Sequence, residues 1–352
     1  MDQANLKRIR SRKTIDTMAL NDWLGLSAAE KSEVFSELTK YVPLEEVAIE
    51  KDWWVVQTLR LVFTLDCAPS LVFKGGTSLS KAWGLINRFS EDIDLAVDRA
   101  YLGFDAEMIP AQVKKLRRAS AAYISESFFP QLVSKFKENG FEGLDIKLGE
   151  IKDPDQDPLI IEIYYPSVTK PNKYVQPRVL VEIGSRSLRE PFTIKSFSSF
   201  VGEHLKGSSF TDLPIEIPTV NPERTFLEKV FLLHEEFQKP VEKIRVDRLS
   251  RHLYDIEKLM DTQFGKAALD DRHLYETIVH HRKTITLIRG IDYTNHSPDK
   301  INPLPPDSLM ADWKRDYEIM QESMIYGPSL PFEQLIERIK ELKSRFNQLN
   351  RV

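Results

Sequence analysis

Residues 73–97 read FKGGTSLSKAWGLINRFSEDIDLAV, and the two ends of this stretch decide the fold. The left end closes a strand, Leu71-Val72-Phe73, which breaks into Gly75-Gly76 and then Thr77-Ser78, the way a chain leaves a strand and caps a helix. Paired glycines let backbone N–H groups approach an anion with no Cβ in the way, and the positive end of a following helix favours that charge. The turn therefore predicts a phosphate cradle. A helix from about Ser78 to Asn87 would line up Leu79, Trp83 and Ile86 on one apolar face, so it is expected to be docked. The right end, Asp92-Ile93-Asp94-Leu95-Ala96-Val97, predicts a largely buried strand with both carboxylates on one face and Ile93 and Leu95 on the other.

Two aspartates pointing the same way at the mouth of a phosphate-cradling turn suit a hard cation with oxygen ligands, Mg²⁺ or Mn²⁺, and such a site holds a triphosphate. Clustered carboxylates serve nucleotide transfer because paired ions activate a hydroxyl and neutralise the departing pyrophosphate. Asp-x-Asp alone is commonly a solvated acidic strand. Glycine turn, capped helix and carboxylate strand together form one geometric unit, and that unit points to catalysis.

The strings Gly75-Gly76-Thr77-Ser78-Leu79-Ser80-Lys81 and Arg88-Phe89-Ser90-Glu91-Asp92-Ile93-Asp94 resemble the motif of the AbiEii/AbiGii nucleotidyltransferase toxins, relatives of the MenT toxins within the polymerase-beta-like nucleotidyltransferase superfamily. The gap from glycines to aspartates is longer than in most of that superfamily, and the long form is usual in this branch. The resemblance implies that Gly75, Gly76, Thr77, Ser78, Lys81 and Ser90 take the nucleotide, with Asp92 and Asp94 as catalytic metal ligands.

A chain of 352 residues exceeds the roughly 250–300 at which single cores stop growing, so two lobes are expected. Its composition, 41% hydrophobic and 29% charged, is that of a globular protein and not of a disordered one. A net charge of −4 excludes blanket nucleic-acid binding and leaves local basic patches to do that work. Cys67, the lone cysteine, excludes an internal disulfide and a cysteine zinc cluster; it reads as core filler in a cytoplasmic protein. No apolar leader precedes Lys7, Arg8, Arg10, Arg12 and Lys13, and the greasiest run, Trp53 to Leu65, is broken by polar residues, so no membrane contact is expected.

Residues 1–43 read as a basic tail, solvated or touching RNA, and a short helix whose Ser27 and Glu30 form a capping box. A helix over 44–65 is expected behind the organising strand, and a long helical region over 105–138 carries Lys114, Lys115, Arg117 and Arg118, a polyanion footprint or a solvated face. Three strands follow, Asp145 to Ile151, Leu159 to Tyr165 and Arg178 to Ile183, then two short β runs between Phe192 and Pro218. Glu162 and Glu182 each sit among apolar strand residues, so one of them is a candidate third metal ligand; the alternative for Glu182 is a salt bridge. The resemblance favours Glu182, followed as in the family by Arg186. Lys170, Lys173, Arg178, Arg186 and Arg189 surround this region and form a candidate landing strip for a phosphate backbone.

Asn221-Pro222 starts a helix whose stripe is Phe226, Val230, Leu233 and Phe237, leaving Lys229 at the margin to project over the neighbouring lobe. A further helix places Arg248, Arg251, His252 and Asp255 on one face. Exposed helix lysines and Arg–Asp pairs are ordinary surface features. Glu223 to Lys229 and Arg251-His252-Leu253-Tyr254-Asp255 nevertheless resemble two further family motifs, which makes Lys229 a phosphate contact and Asp255 a catalytic carboxylate whose target (Lys229, the metal or the base) stays open. Helices over 272–289, 307–326 and 331–348 complete the chain, the Trp313, Tyr317, Met320, Met324 stripe being core.

The expected architecture is α/β (α+β) and bilobal, a nucleotidyltransferase-fold mixed-sheet lobe over 44–220 and an α-helical lobe over 221–352. The resemblance implies a toxin of a toxin–antitoxin or phage-defence pair that transfers a nucleoside monophosphate from an NTP to the 3′ end of tRNA, blocking aminoacylation. It implies a separate DNA-binding antitoxin, with no direct contact required. Transfer to a protein or small-molecule hydroxyl, or a non-catalytic nucleotide-binding regulator, are the alternatives, and intact Asp92, Asp94 and Lys229 argue against the last.

Overall fold

Residues 17–104, 108–170, 175–187 and 191–349 are described by the computed structural model. The basic tail, Lys173 and Arg189 lie outside the described residues. Seven strands form one mixed sheet: β1 (Leu71–Lys74), β2 (Asp92–Val97), β3 (Asp145–Leu148), β4 (Leu159–Tyr164), β5 (Arg178–Gly184), β6 (Phe192–Phe197) and β7 (Ile215–Val220), in the order β3-β4-β5-β2-β1-β7-β6. The pairs β2–β5 and β1–β7 are parallel and the others antiparallel.

Alternation along β2 separates two environments, as its sequence dictates. Ile93, Leu95 and Val97 enter the core beneath the sheet, where the almost wholly buried helix Glu46–Val62 packs. Asp92, Asp94 and Ala96 take the opposite face, on which Val72, Ala96 and Val220 make a small apolar floor. The second large core is helical, built from Pro222–Glu236, Ser250–Met260, Arg272–His281, Met310–Ser323 and Phe332–Gln348, with Trp313, Tyr317, Met320 and Met324 inside it. Cys67 is buried and free, and Ser27 and Glu30 exchange the two hydrogen bonds of a capping box. Among the described residues no helix is long and apolar enough to cross a membrane.

Several elements differ from expectation for local reasons. The helix after the glycines begins at Gly75 itself and ends at Ala82, its last turn π-helical. Residues 83–91 are instead irregular, and they reach the helical core. Phe89 N–H donates to the Met324 carbonyl at 2.6 Å, Tyr326 N–H donates to the Asn87 carbonyl at 3.0 Å, and Ile86 and Phe89 are buried among the helices. The long gap between glycines and aspartates therefore carries a tether. Asn221 makes no side-chain cap, because its Oδ1 accepts from Thr193 Oγ1 at 2.8 Å. Arg248 precedes its helix, at a φ of 59°, and so does not share a helical face with Asp255. A helix at Gln263–Asp270 and a short one at Phe200–His204 were not foreseen.

Candidate active site

Cross-strand register lines up the chemistry. Asp94 is opposite Lys74 on β1 and opposite Glu182 on β5, so Lys74, Asp94 and Glu182 form a row across three strands on one face. Asp92 lies one pleat along the same face. Together with Gly75, Gly76, Arg88, Ser90 and Lys229 these residues line a cleft of about 540 Å³ between the sheet and the helices.

Gly75 is required here. Its φ is +79°, and a Cβ on it would fall 1.9 Å from Asp94 Oδ2. Gly75→Ala is expected to lower stability by about 1–2 kcal/mol from the left-handed backbone and to displace Asp94. Activity should drop far more than the melting temperature, and full activity in a folded Gly75→Ala protein would refute this placement of Asp94.

The other cradle residues divide. Thr77 and Ser78 are buried: Thr77 Oγ1 donates to the Asp92 carbonyl at 2.5 Å and Ser78 Oγ to the Gly75 carbonyl at 2.9 Å, so both fix the turn from behind. Lys81 points away, paired with Asp52 at 3.0 Å and lying over the Phe200 ring. It is not among the residues lining the cleft. Its partner Asp52 is fully buried, which pushes its pKa up to about 6 despite Lys81 and the Phe200 N–H.

The two candidate third carboxylates also separate. Glu162 accepts from Tyr164 Oη and, at 2.9 Å, from Arg178, outside the cleft. Glu182 lines it, and no ion pair is found for Glu182 among the described residues. Burial raises the pKa of Glu182, reinforced by Asp94, while Lys74 opposes; burial, Glu91 and Asp94 likewise raise that of Asp92. Like charges held together in a partly dry cleft disfavour one another's ionised forms, a cost that a bound cation would relieve. No three His, Cys, Asp or Glu side chains among the described residues converge into a metal cage. Mg²⁺ requires no such cage, since it is bound by one or two carboxylates with the remaining positions filled by water and substrate phosphate.

Across the cleft, Lys229, beside the apolar stripe of its helix, is buried, 7% exposed, and lines the cleft. Its Nζ is 2.9 Å from Asp255 Oδ2 and 3.4 Å from His252 Nδ1. Asp255 also receives Arg88 through two hydrogen bonds, Nε to Oδ1 at 2.7 Å and Nη2 to Oδ2 at 2.8 Å. Burial alone would raise the Asp255 pKa, but Arg88 and Lys229 outweigh it and hold the carboxylate well below the usual range. Burial lowers the Lys229 pKa against the pull of Asp255, and burial with Lys229 holds His252 neutral. Neutral His252 therefore accepts from the ammonium through Nδ1. Lys229 has three donors and two partners, which leaves one directed hydrogen bond for a ligand.

Arg88 was quoted in the organising stretch without a role. Its signal was a lone arginine just before a carboxylate strand, which only the fold connects to Asp255. Lys74, Arg186, Arg251 and Arg282 also line the cleft. Of these, Lys74 lies in the organising stretch with no role assigned from sequence, Arg251 belongs to the helix face shared with Asp255, and nothing local in sequence marks Arg282.

Comparison with known proteins gives a family match and structural neighbours. The family model described as nucleotidyl transferase AbiEii toxin, type IV TA system, matches residues 60–338. Among solved structures, the MenT4 nucleotidyltransferase toxin from Mycobacterium tuberculosis H37Rv is similar over 92% of this chain and 99% of its own, at 17% identity and a TM-score of 0.42. No curated protein sequence matches.

Proposed function

This chain belongs to the AbiEii nucleotidyl transferase toxin family of type IV toxin–antitoxin systems, a family of enzymes that use an NTP substrate and imply an antitoxin partner, and from that premise we propose a metal-dependent transfer of a nucleoside monophosphate to the 3′ end of tRNA in the cytoplasm. The carrying observation is the Lys74–Asp94–Glu182 row facing Lys229 across one cleft, with Gly75 pressed against Asp94. Sheet lobe 44–220 supplies the carboxylates and helical lobe 221–352 the lysine. The antitoxin in this reading is a separate DNA-binding protein, and the reading requires no direct contact between the two.

In this mechanism Asp92 and Asp94 would hold Mg²⁺ or Mn²⁺; Glu182, which does not converge with them into a three-carboxylate cage, adds its negative charge from the neighbouring strand and is not a third ligand as the sequence suggested. The ion, when bound, activates the acceptor hydroxyl and offsets the charge of the departing pyrophosphate. Gly75 and Gly76 let the triphosphate approach the backbone, and Ser90 Oγ borders it. Lys229, oriented by Asp255, donates its free N–H to a phosphate oxygen; the burial of this ammonium makes that charge worth more than it would be in water. Lys229→Met keeps the stem's packing and removes the charge. It is expected to lower kcat/KM for the nucleotide about a hundredfold, about 3 kcal/mol, while the protein still folds. A folded Lys229→Met enzyme with unchanged kinetics would make the residue structural only.

The acceptor is tested with labelled NTPs, Mg²⁺ and three substrates: intact tRNA, tRNA with its terminal ribose oxidised by periodate, and total cell protein. Label on intact tRNA that vanishes after oxidation supports the reading. Label confined to protein would replace it with protein nucleotidylation.

A further inference from the structure

The cleft has a second cationic end that the nucleotide reading does not use. The glycine turn follows β1 and lies beside the Asp92 end of β2. On the other side of β2, β5 runs parallel past Glu182 to Gly184, which is opposite Ala96, and then to Arg186. Arg186 and the glycine turn thus flank the carboxylates diagonally, on opposite sides and at opposite ends. Transfer in line requires just such a division, because the acceptor hydroxyl attacks the α-phosphorus from the side opposite the departing pyrophosphate.

Arg186 is under-satisfied. Its Nε is buried with no hydrogen-bond partner, and no ion pair to it is found among the described residues. Asp157, the carboxylate whose charge acts most strongly on Arg186, is already engaged: it accepts from Ser185 N–H at 3.1 Å, Ser185 Oγ at 3.0 Å and Ser120 Oγ at 3.3 Å. Arg117 comes in from the helix Pro110–Tyr123 and donates to the carbonyls of Ile285, at 2.8 Å, and Thr286; its Nε too lacks a partner. Arg282 closes the corner, its charge met by Glu235 at 2.6 Å. Burial and the neighbouring Arg117 and Arg282 charges push the Arg186 guanidinium below its ordinary pKa, with Asp157 and Glu182 opposing. Among the described residues neither Arg186 nor Arg117 has a carboxylate ion-pair partner, and Arg186, which lines the cleft with Arg117 behind it, presents a planar guanidinium suited to an anion.

We propose that the corner of Arg186 and Arg117, closed by Arg282, binds a backbone phosphodiester of the acceptor RNA, within the last two linkages before the ribose whose hydroxyl is extended. This rests on the reading of the chain as an RNA nucleotidyltransferase and adds where the acceptor strand enters. The basic residues of one hairpin are then not a general landing strip. One buried phosphate contact, made jointly by the sheet, the helix Pro110–Tyr123 and the segment after His281, sets the register of the 3′ end, while exposed cations such as Lys170 add only diffuse attraction.

The test uses wild-type protein and a set of acceptor-stem RNAs with a single-stranded 3′ end, each carrying one neutral methylphosphonate in place of one phosphodiester. Substitution at one of the two 3′-terminal linkages is expected to raise the acceptor KM roughly tenfold, as loss of a charged hydrogen bond does. Substitutions farther along the strand should change little. Arg186→Gln should raise the acceptor KM similarly, leave the NTP KM unchanged and lose sensitivity to that linkage, while Arg186→Lys recovers part of the effect. Its RNA affinity, read by fluorescence anisotropy without NTP, should show a log–log salt slope smaller by about 0.7. Uniform tolerance of methylphosphonates by the wild type, which needs no variant to fold, overturns the proposal. So does an Arg186→Gln effect confined to the NTP KM, which would make this a triphosphate contact. If no RNA is extended at all, the transfer reading falls while the anisotropy series still decides the subsite.

Discussion

Asp94→Asn folds and loses nucleotidyl transfer by on the order of a thousandfold or more, about 4 kcal/mol of transition-state stabilisation. The substitution is isosteric, so Gly75 keeps its neighbour and the Lys74–Asp94–Glu182 row keeps its register. What goes is one negative charge, and with it the cation. The same charge repels Asp92 and Glu182 in the metal-free protein, where Asp94 raises the pKa of each. Asp94→Asn should therefore be no less stable than wild type, and more stable where the carboxylates are ionised. The sign follows from linkage: a carboxylate whose folded pKa is raised costs stability as pH climbs from the unfolded value through the folded one. Metal-free wild type should thus lose stability across that interval, and Asp94→Asn should lose less. Asp92→Asn is expected to behave alike in activity. Denaturant titrations at several pH values together with kcat measurements check both halves, and near-wild-type transfer in either variant would put the metal elsewhere.

The sequence carried most of this site because its parts are local. Gly-Gly after a strand and Asp-x-Asp within one are each fixed by a few adjacent residues, and period two alone sets both carboxylates on one face. Register is not local. That Asp94 faces Glu182 and not Glu162 depends on how β2, β4 and β5 align, and the two glutamates look the same within their strands. Burial of cations was likewise illegible. Lys229 lies beside its apolar stripe, so a helical wheel leaves it free to project; Asp255, which holds it inside, comes from a later helix and is itself fixed by Arg88 from far along the chain. Lys81 was misjudged for the converse reason. It belongs to the motif string, but a π-helical turn and the distant Asp52 rotate it out of the cleft. The irregular stretch after Ala82 had apolar residues at helical spacing, yet Ile86 and Phe89 are claimed by the helical core instead.

Asp255→Ala should be the most destabilising substitution near the cleft, by about 3–5 kcal/mol, because it strands two buried cations. Asp255 is fully buried and is the shared acceptor of Arg88, 2% exposed, and Lys229, 7% exposed. Removing one member of such a set leaves uncompensated charge in a medium that solvates it poorly. Removing a cation with the carboxylate should recover part of the loss, so Asp255→Ala combined with Lys229→Met is expected to be more stable than Asp255→Ala alone. The pH dependence has the opposite sign to that of Asp92 and Glu182. Arg88 and Lys229 depress the folded pKa of Asp255 below the unfolded value of about 3.9, so its contribution is present throughout neutral pH. The gap between wild type and Asp255→Ala should hold at pH 7 and begin to close only below about pH 4, as the carboxylate protonates first in the unfolded chain. Equilibrium denaturation of the single and double variants across that range is the measurement. If Asp255→Ala matched wild-type stability at neutral pH, Arg88 and Lys229 would have found other counter-charges. The carboxylate would then have to act on substrate or metal directly, and not by holding Lys229 in place.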